Sequence, residues 1–414
     1  MKRFLLFLLF LPLATQAQLP EVLPLDTILA RVERVHPRLR QYDAQAKAAD
    51  AYAAGARVWM APRVGAGPFM VPYSANRRGE DMGMQSGGSV MVMAEQGLPN
   101  RARQRANESY LRSQANVDRE TRAYTRNQLR ADVKQNYYDW LMLQKKLHVL
   151  EKTERLMEFA LRSIELRYKY GGEKLSDAYR AQAALQLHHV EEMELEGQLK
   201  ERRANLNTLL VRDPQTLFYI DTTYHLRALD RSLDTTELAQ ARSDVRALDQ
   251  SLVRNQLQQQ LERTAARPEF AVQAQHMQGL GSMPNQYTVL GTMSVPFVPW
   301  ALRQYKANVA GMQLEAQALR EQRADLLNQA AGKVEALNAR RRAQYEQVLL
   351  YKENVLPAVL KSYRATLLAY EQNTETFSAV LQAWETLRNT RLAAVDQEQQ
   401  LLQLQVEFER EQEQ

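Results

Sequence analysis

From Arg103 to Tyr170 the chain runs 68 residues without a proline or a glycine. As one helix, such a stretch measures roughly 100 Å at 1.5 Å per residue, whereas an ordinary helix has about 11–12 residues. No compact domain encloses a rod of that length. The chain must build something elongated, with other helices laid along the rod to cover it. Tyr110, Val117, Tyr124, Ala131 and Tyr138 recur every seven residues, the spacing of a packing seam. Gly171-Gly172 then offers the left-handed turn that ends a helix. A second stretch, Arg303 to Gln372, is interrupted only by Gly311, Gly332 and Pro357, and Asn373 follows it as a residue that tolerates the left-handed conformation.

The two rods belong to a chain written twice. Leu25-Asp26-Thr27 recurs as Leu233-Asp234-Thr235, and Pro62-Arg63-Val64 as Pro268-Glu269-Phe270. Leu98-Pro99 stands before Arg103-Gln104 as Val298-Pro299 stands before Arg303-Gln304. Tyr168-Lys169-Tyr170-Gly171 is answered by Tyr370-Glu371-Gln372-Asn373, and Ala181 by Ala383. The offsets are 208, 206, 200 and 202, which points to a duplicated unit of about 200 residues.

Each unit has the same expected layout. The first repeat, 18–232, holds a helix over about 26–60, a β-hairpin over 63–97, the long helix 103–170, a returning helix 174–211 and an equatorial linker 212–232. The second, 233–414, holds a helix over about 234–266, a hairpin over 269–297, a long helix 303–372 and a returning helix 376–411. The hairpin strands, Arg63–Tyr73, Ser89–Gln96, Glu269–Met277 and Tyr287–Phe297, alternate with period two. In the last, Tyr287, Val289, Met293 and Val295 share one face and Thr288, Thr292 and Ser294 the other, with Leu290 the exception. A returning helix of about 38 residues, ~57 Å long, cannot cover a 100 Å neighbour alone. The N-terminal helix of each repeat supplies the remainder if the two stack end to end.

Residues 1–17 read as a secretory signal peptide: Lys2 and Arg3, then the apolar run Phe4–Leu13, then Ala14-Thr15-Gln16-Ala17. With no cysteine, the exported chain folds without disulfides. The formal charge of +6 includes Lys2 and Arg3, and there is no basic run with interleaved aromatics, so nothing points to nucleic acid. If the chain enters a membrane it does so as strands, since only helices and closed barrels satisfy the backbone in lipid. Four strands are long enough to span but too few to close, the smallest bacterial barrels having about eight. The chain must pool strands with copies of itself: two copies give eight strands and three give twelve.

The sequence resembles the TolC-like outer-membrane efflux proteins over essentially its whole length after residue 17. Leu29, Pro37, Leu39, Ala46, Ala53 and Pro62 fall where that family's opening has them, with His36 in place of its usual Asn. Glu95-Gln96-Gly97-Leu98-Pro99 and Val295-Pro296-Phe297-Val298-Pro299-Trp300 resemble its strand-to-helix junctions, marked by Pro99 and Pro299. Leu209-Leu210-Val211-Arg212-Asp213-Pro214 resembles the end of its first returning helix, and Tyr168-x-x-Gly171 with Ala181-Gln182 its tip. The resemblance implies a mainly α fold with a small β part: a trimeric α-barrel tunnel hung from a shared 12-stranded transmembrane β-barrel in the outer membrane of a Gram-negative bacterium. A mixed belt is implied from residues near 212–232 and the C-terminal end. The implied partners are two further copies, a periplasmic adaptor, an inner-membrane pump of the RND type and outer-membrane lipid. Cargo is left open between small molecules, metal ions and protein.

By the same resemblance, Gly171, Gly172 and Asn373 are adaptor-docking turns. Tyr370, Asp177 and Ser176 align with positions that hold neighbouring tip helices together, through a breakable bond of the hydroxyl-to-carboxylate kind. Glu375 stands where some members carry arginine, and Ala379 and Gln382 where some carry a ring of aspartates.

Catalysis, cofactors and a resident metal find no support. His188 and His189 are adjacent and point ~100° apart on a helix, and Gly171-Gly172-Glu173-Lys174 is not a P-loop. Met70, Met82, Met84, Met91, Met93, Met277, Met283 and Met293 cluster in or beside the hairpins. Thioethers suit Cu(I), but the plainer reading is packing within a barrel. Two other classes stand against the duct: a periplasmic coiled-coil scaffold, which leaves the four alternating runs unexplained, and a secreted enzyme, which lacks a site.

Overall fold

The computed structural model describes residues 21–71, 88–170, 172, 174–224, 234–280, 283–296 and 298–413. The signal segment, Gly171, Met82, Met84 and residues 225–233 of the linker lie outside the described residues. Strand β1 (Glu21–Leu23) leads into helices α1 (Leu25–Val35) and α2 (Pro37–Gly55). Strands β2 (Arg63–Phe69) and β3 (Ser89–Leu98) precede the rod α3 (Arg101–Lys169) and the returning helix α4 (Leu175–Leu209). After β4 (Phe218–Ile220) the order starts again: α5 (Thr235–Ala241), α6 (Ser243–Ala265), β5 (Phe270–Gly279) and β6 (Gln286–Met293). Helix α7 (Pro299–Leu350), a π turn (Tyr351–Val355), α8 (Leu356–Glu371) and α9 (Phe377–Gln412) complete the chain.

The sequence explains where these helices start and break. Asn100 caps α3, its Oδ1 accepting from the backbone N–H groups of Ala102 and Arg103 at 3.1 and 3.2 Å. With no proline or glycine inside, α3 continues for 69 residues. Each N-terminal helix was expected to be single and is instead broken once. His36 is extended because the residue before a proline avoids the helical region, and Pro37 then opens α2 at a position that needs no donor. Arg242 makes the matching break between α5 and α6, 206 positions later, without a proline. The second rod also departs from the expected single helix. Pro357 has no N–H to give, and the helix widens into the five-residue π turn just before it.

Helix α3 is the spine. Salt links Arg57–Glu108, Arg119–Asp50, Arg122–Asp43 and Arg130–Glu33 lay α1 and α2 along its N-terminal half. Helix α4 covers the other half, with Leu195 packed against Leu143 and Leu150. The two cover helices therefore run in tandem, as the length arithmetic requires. The buried heptad on α3 is Leu143, Leu150, Met157 and Ile164. The tyrosines of the expected seam, Tyr110, Tyr124 and Tyr138, are half-buried on its flank, because a phenol keeps its hydroxyl toward water while an aliphatic side chain does not.

The largest apolar cluster sits mid-way along the rod around Trp140, with Ile28, Leu39, Leu129, Leu206 and Leu402. Strands β1 and β4 pair in parallel, Glu21 with Phe218 through Leu23 with Ile220, and press Phe218 edge-on against Trp140 at 4.9 Å between ring centres. Burying each such side chain contributes about 1.5–3 kcal/mol. The strand Glu21–Leu23 was not expected from sequence, being too short to show a period. Among the described residues no helix is long and apolar enough to cross a membrane.

Candidate functional site

Two regions hold the residues singled out in the sequence: the end where the long helices turn, and the sheet at the opposite end.

At the turn end, α3 closes with Gly172 N–H on the Arg167 carbonyl at 2.9 Å. Helix α8 closes the same way, Thr374 N–H reaching the Ala369 carbonyl at 2.9 Å while Asn373 takes a φ of 60°. These are 6→1 closures that satisfy carbonyls orphaned at a helix end. Thr376 then caps α9. Arg167 ties the two turns together. Its guanidinium donates to Asn373 Oδ1 at 2.6 Å and to the Glu371 carbonyl at 3.1 Å, and lies 4.5 Å from the centre of the Tyr370 ring. Tyr370 is itself buried, edge-on against Phe377 at 6.0 Å.

Beneath this clasp is an apolar cluster from all four tip helices, including Ile164, Ala181, Phe377, Val380 and Trp384. Ala181 is completely buried, so α3 and α4 approach closely there. Trp384 Nε1 donates to the Thr153 carbonyl at 2.8 Å, and the fully buried His188 meets the Leu150 carbonyl through Nε2 at 3.0 Å. Burial pushes the His188 imidazole below its ordinary pKa, against the pull of Glu154.

Asp177 and Tyr370 lie on different helices of the tip. Asp177 lies in the first turn of α4, 3.7 Å from Arg180, with Ser176 beside it, while Tyr370 ends α8 and is packed inward. Glu375 accepts from the Thr376 N–H at 3.4 Å just before α9. Arg167 was missed in sequence. A basic residue in the last turn of a helix suits the helix dipole, and nothing local says that it reaches a partner 206 positions away.

At the other end, β2, β3, β5 and β6 form one antiparallel sheet in that order. The two hairpins are joined through β3 and β5, with Ser89 opposite Gly279 and Leu98 opposite Phe270. Pro99 and Pro299 sit at the junctions, Pro99 just outside the cap of α3 and Pro299 in the first turn of α7. The first strand stops at Phe69, because Met70 turns to a φ of 54°, and Tyr73, where it was expected to end, lies outside the described residues.

The registers divide the sheet into two faces. Val64, Ala66, Val90, Val92, Ala94, Phe270, Val272, Ala274, Val289 and Met293 lie on one face, joined by Gln96, His276, Gln278 and Tyr287, and Val92 and Val289 are 48% and 65% exposed. The other face carries Arg63, Glu95, Gln273, Gln275, Gln286, Thr288 and Thr292, with Phe69, Leu290, Met91, Met93 and Met277 among them. An exposed apolar sheet face of this extent signals a non-aqueous neighbour.

Comparison with known proteins agrees with this arrangement. The model of the outer membrane efflux protein family matches residues 29–211. No curated protein sequence matches the chain. Among solved structures, the outer-membrane channel OprN superposes with a TM-score of 0.76 at 17% identity, covering 94% of this chain and 89% of OprN. The outer membrane protein VceC of Vibrio cholerae gives a TM-score of 0.73 at 14% identity over 94% of this chain and 95% of VceC. The open state of the MtrE outer membrane channel of Neisseria gonorrhoeae gives 0.74 at 15% identity over 94% and 88%. Residues 29–211 thus match the outer membrane efflux protein family, and nearly all of the chain shares the fold of these outer-membrane channels.

Proposed function

We propose that three copies of the chain form a passive exit duct through the outer membrane, with no enzymatic step of its own. The observation that carries this is the four-stranded sheet with one exposed apolar face and two unpaired edges, mounted on helices of roughly 100 Å. Its edge strands β2 and β6 run in opposite senses, since each of the three pairings between them is antiparallel. The β6 edge of one copy can therefore pair antiparallel with the β2 edge of the next, a head-to-tail contact that closes into a ring. Three copies give twelve strands with lipid outside and the polar face inside, a closure that removes every edge. The outward side of α4, where Tyr179, Leu187, Val190 and Met193 are each more than half exposed, gives the copies a further apolar surface to pack on.

The helical end then lies in the periplasm and meets an adaptor and an inner-membrane pump of the RND type, which supplies the energy for export of small molecules or metal ions. Gly171, Gly172 and Asn373 form the docking turns in this proposal. Tyr370, Asp177, Ser176 and Glu375 are the gate between neighbouring tips in this proposal.

The test is the protein mass of the particle extracted from outer membranes in mild detergent, measured by light scattering with the detergent subtracted. A mass of three chains is expected. A chain that is soluble without detergent, as monomer or dimer, would replace the duct with a periplasmic scaffold.

A further inference from the structure

The polar face of the sheet holds three methionines where the surrounding residues are glutamine, threonine and charge. Met91 and Met277 are direct cross-strand partners, and Met93 follows Met91 on the same face. Directly opposed side chains start ~4.5–5.5 Å apart at Cβ, and diagonal neighbours ~7–8 Å, so thioethers on flexible two-methylene stems can converge on one point. The strand on the other side is bare. Gly65 and Gly67 stand opposite Met93 and Met91. The space above Gly67 is open, and Met93 bends across Gly65, its Cγ and Sδ 3.3 and 3.6 Å from where a Cβ would sit. The three methionines thus share a face whose neighbouring strand carries glycine opposite two of them, with Glu95 two residues from Met93 on the same face. Methionine packed against lipid would belong on the opposite face, where Met293 is.

We propose that Met91, Met93 and Met277 form a thioether site for a soft monovalent cation, Cu(I) or its analogue Ag(I), on the inner wall of the duct. Thioether sulfur prefers such ions to hard divalent ones. Two or three sulfurs at flexible stems give low-coordinate ligation that releases its ion readily, as a site along an exit path requires. The position of the site on an inner wall rests on the duct reading above, whereas the ligand set belongs to a single chain.

The probe is Ag(I) itself, titrated into the purified full-length protein in detergent and counted by elemental analysis at equilibrium dialysis against a known free Ag(I), with light scattering on the same sample. One Ag(I) per chain is expected to be retained. The double variant Met91→Leu/Met277→Leu, which keeps side-chain volume, is expected to lower retention at least tenfold, and Met293→Leu is expected to leave it unchanged. Retention undiminished in the double variant, or no retention by the wild type, overturns the site. A three-chain particle without silver removes the site and keeps the duct. A soluble monomer that holds silver through these methionines keeps the ligand set and removes the duct.

Discussion

Arg242 is the residue whose loss should most reveal how the middle of the molecule is held. It sits at the break between α5 and α6 with its side chain 9% exposed. Its guanidinium donates to Asp244 Oδ2 at 2.6 Å, to Glu411 Oε2 at 2.8 Å and to the Glu411 carbonyl at 3.0 Å. Glu411, 10% exposed, also receives Lys333 from α7 at 2.6 Å. Next to it Ser243 donates from both its N–H and its hydroxyl to Glu413 at 2.9 and 2.7 Å. The knot therefore joins a helix break, the second rod and the end of α9. Removing one partner of a buried charge pair costs about 3–5 kcal/mol, because the other is left unpaired out of water. Lys333 still serves Glu411, so Arg242→Met should fall near the lower figure, about 3 kcal/mol. For a chain of 414 residues, an unfolding entropy of about 2.1 cal/mol/K per residue makes this a fall of about 3.5 °C in Tm. Calorimetry in detergent measures it, with Glu411→Met and the double variant completing a cycle. The double variant should be less destabilised than the sum of the singles by at least about 1.5 kcal/mol. A Tm change under 1 °C, or strict additivity, would show that the knot is solvated and adds nothing.

Three further outcomes follow from the same geometry. Val92→Lys puts a charge on the apolar face of the sheet and should cost about 2–4 kcal/mol if placed deep in lipid. Gln275→Lys, on the polar face, should assemble normally, so equal amounts of both variants in the outer-membrane fraction would contradict the face assignment. Arg167→Ala removes both hydrogen bonds to the α8 turn and the stacking on Tyr370. A loss of about 1–2 kcal/mol should speed protease cleavage between residues 169 and 175 on the order of tenfold, and Arg167→Lys, without the planar fork, should restore little of the protection. His188 has its pKa depressed chiefly by burial, so its neutral form belongs to the folded state. Its contribution is complete above the ordinary histidine value of about 6.5 and is lost as pH falls below it toward the folded value. Wild type should lose more stability than His188→Gln between pH 7.5 and pH 5, by chemical denaturation, and parallel curves would refute this.

Much of the architecture was legible because it is local. Freedom from proline and glycine predicts the rod around Trp140, alternation predicts the strands, and Asn100, Pro37 and Asn373 predict caps and turns, because each depends on a few neighbouring residues. The repeat was visible for the same reason: punctuation survives in sequence. The resemblance to a known family rested on those signs as well.

What remained hidden depends on contacts between distant segments. Nothing in Glu21–Leu23 marks it as a strand until Phe218–Ile220 lies beside it. The burial of Arg242 needs Glu411 at the far end of the chain, and the reach of Arg167 needs the second tip turn alongside the first. The break at Arg242, made without a proline, depends on that packing too. The sequence by itself determined the lengths, the periods and the need for partner strands, since backbone geometry and hydrophobic spacing act over a few residues. Only the tertiary structure decided which edges meet, which tyrosines turn inward and which three methionines share a face, because those follow from register and helix packing across some two hundred residues of chain.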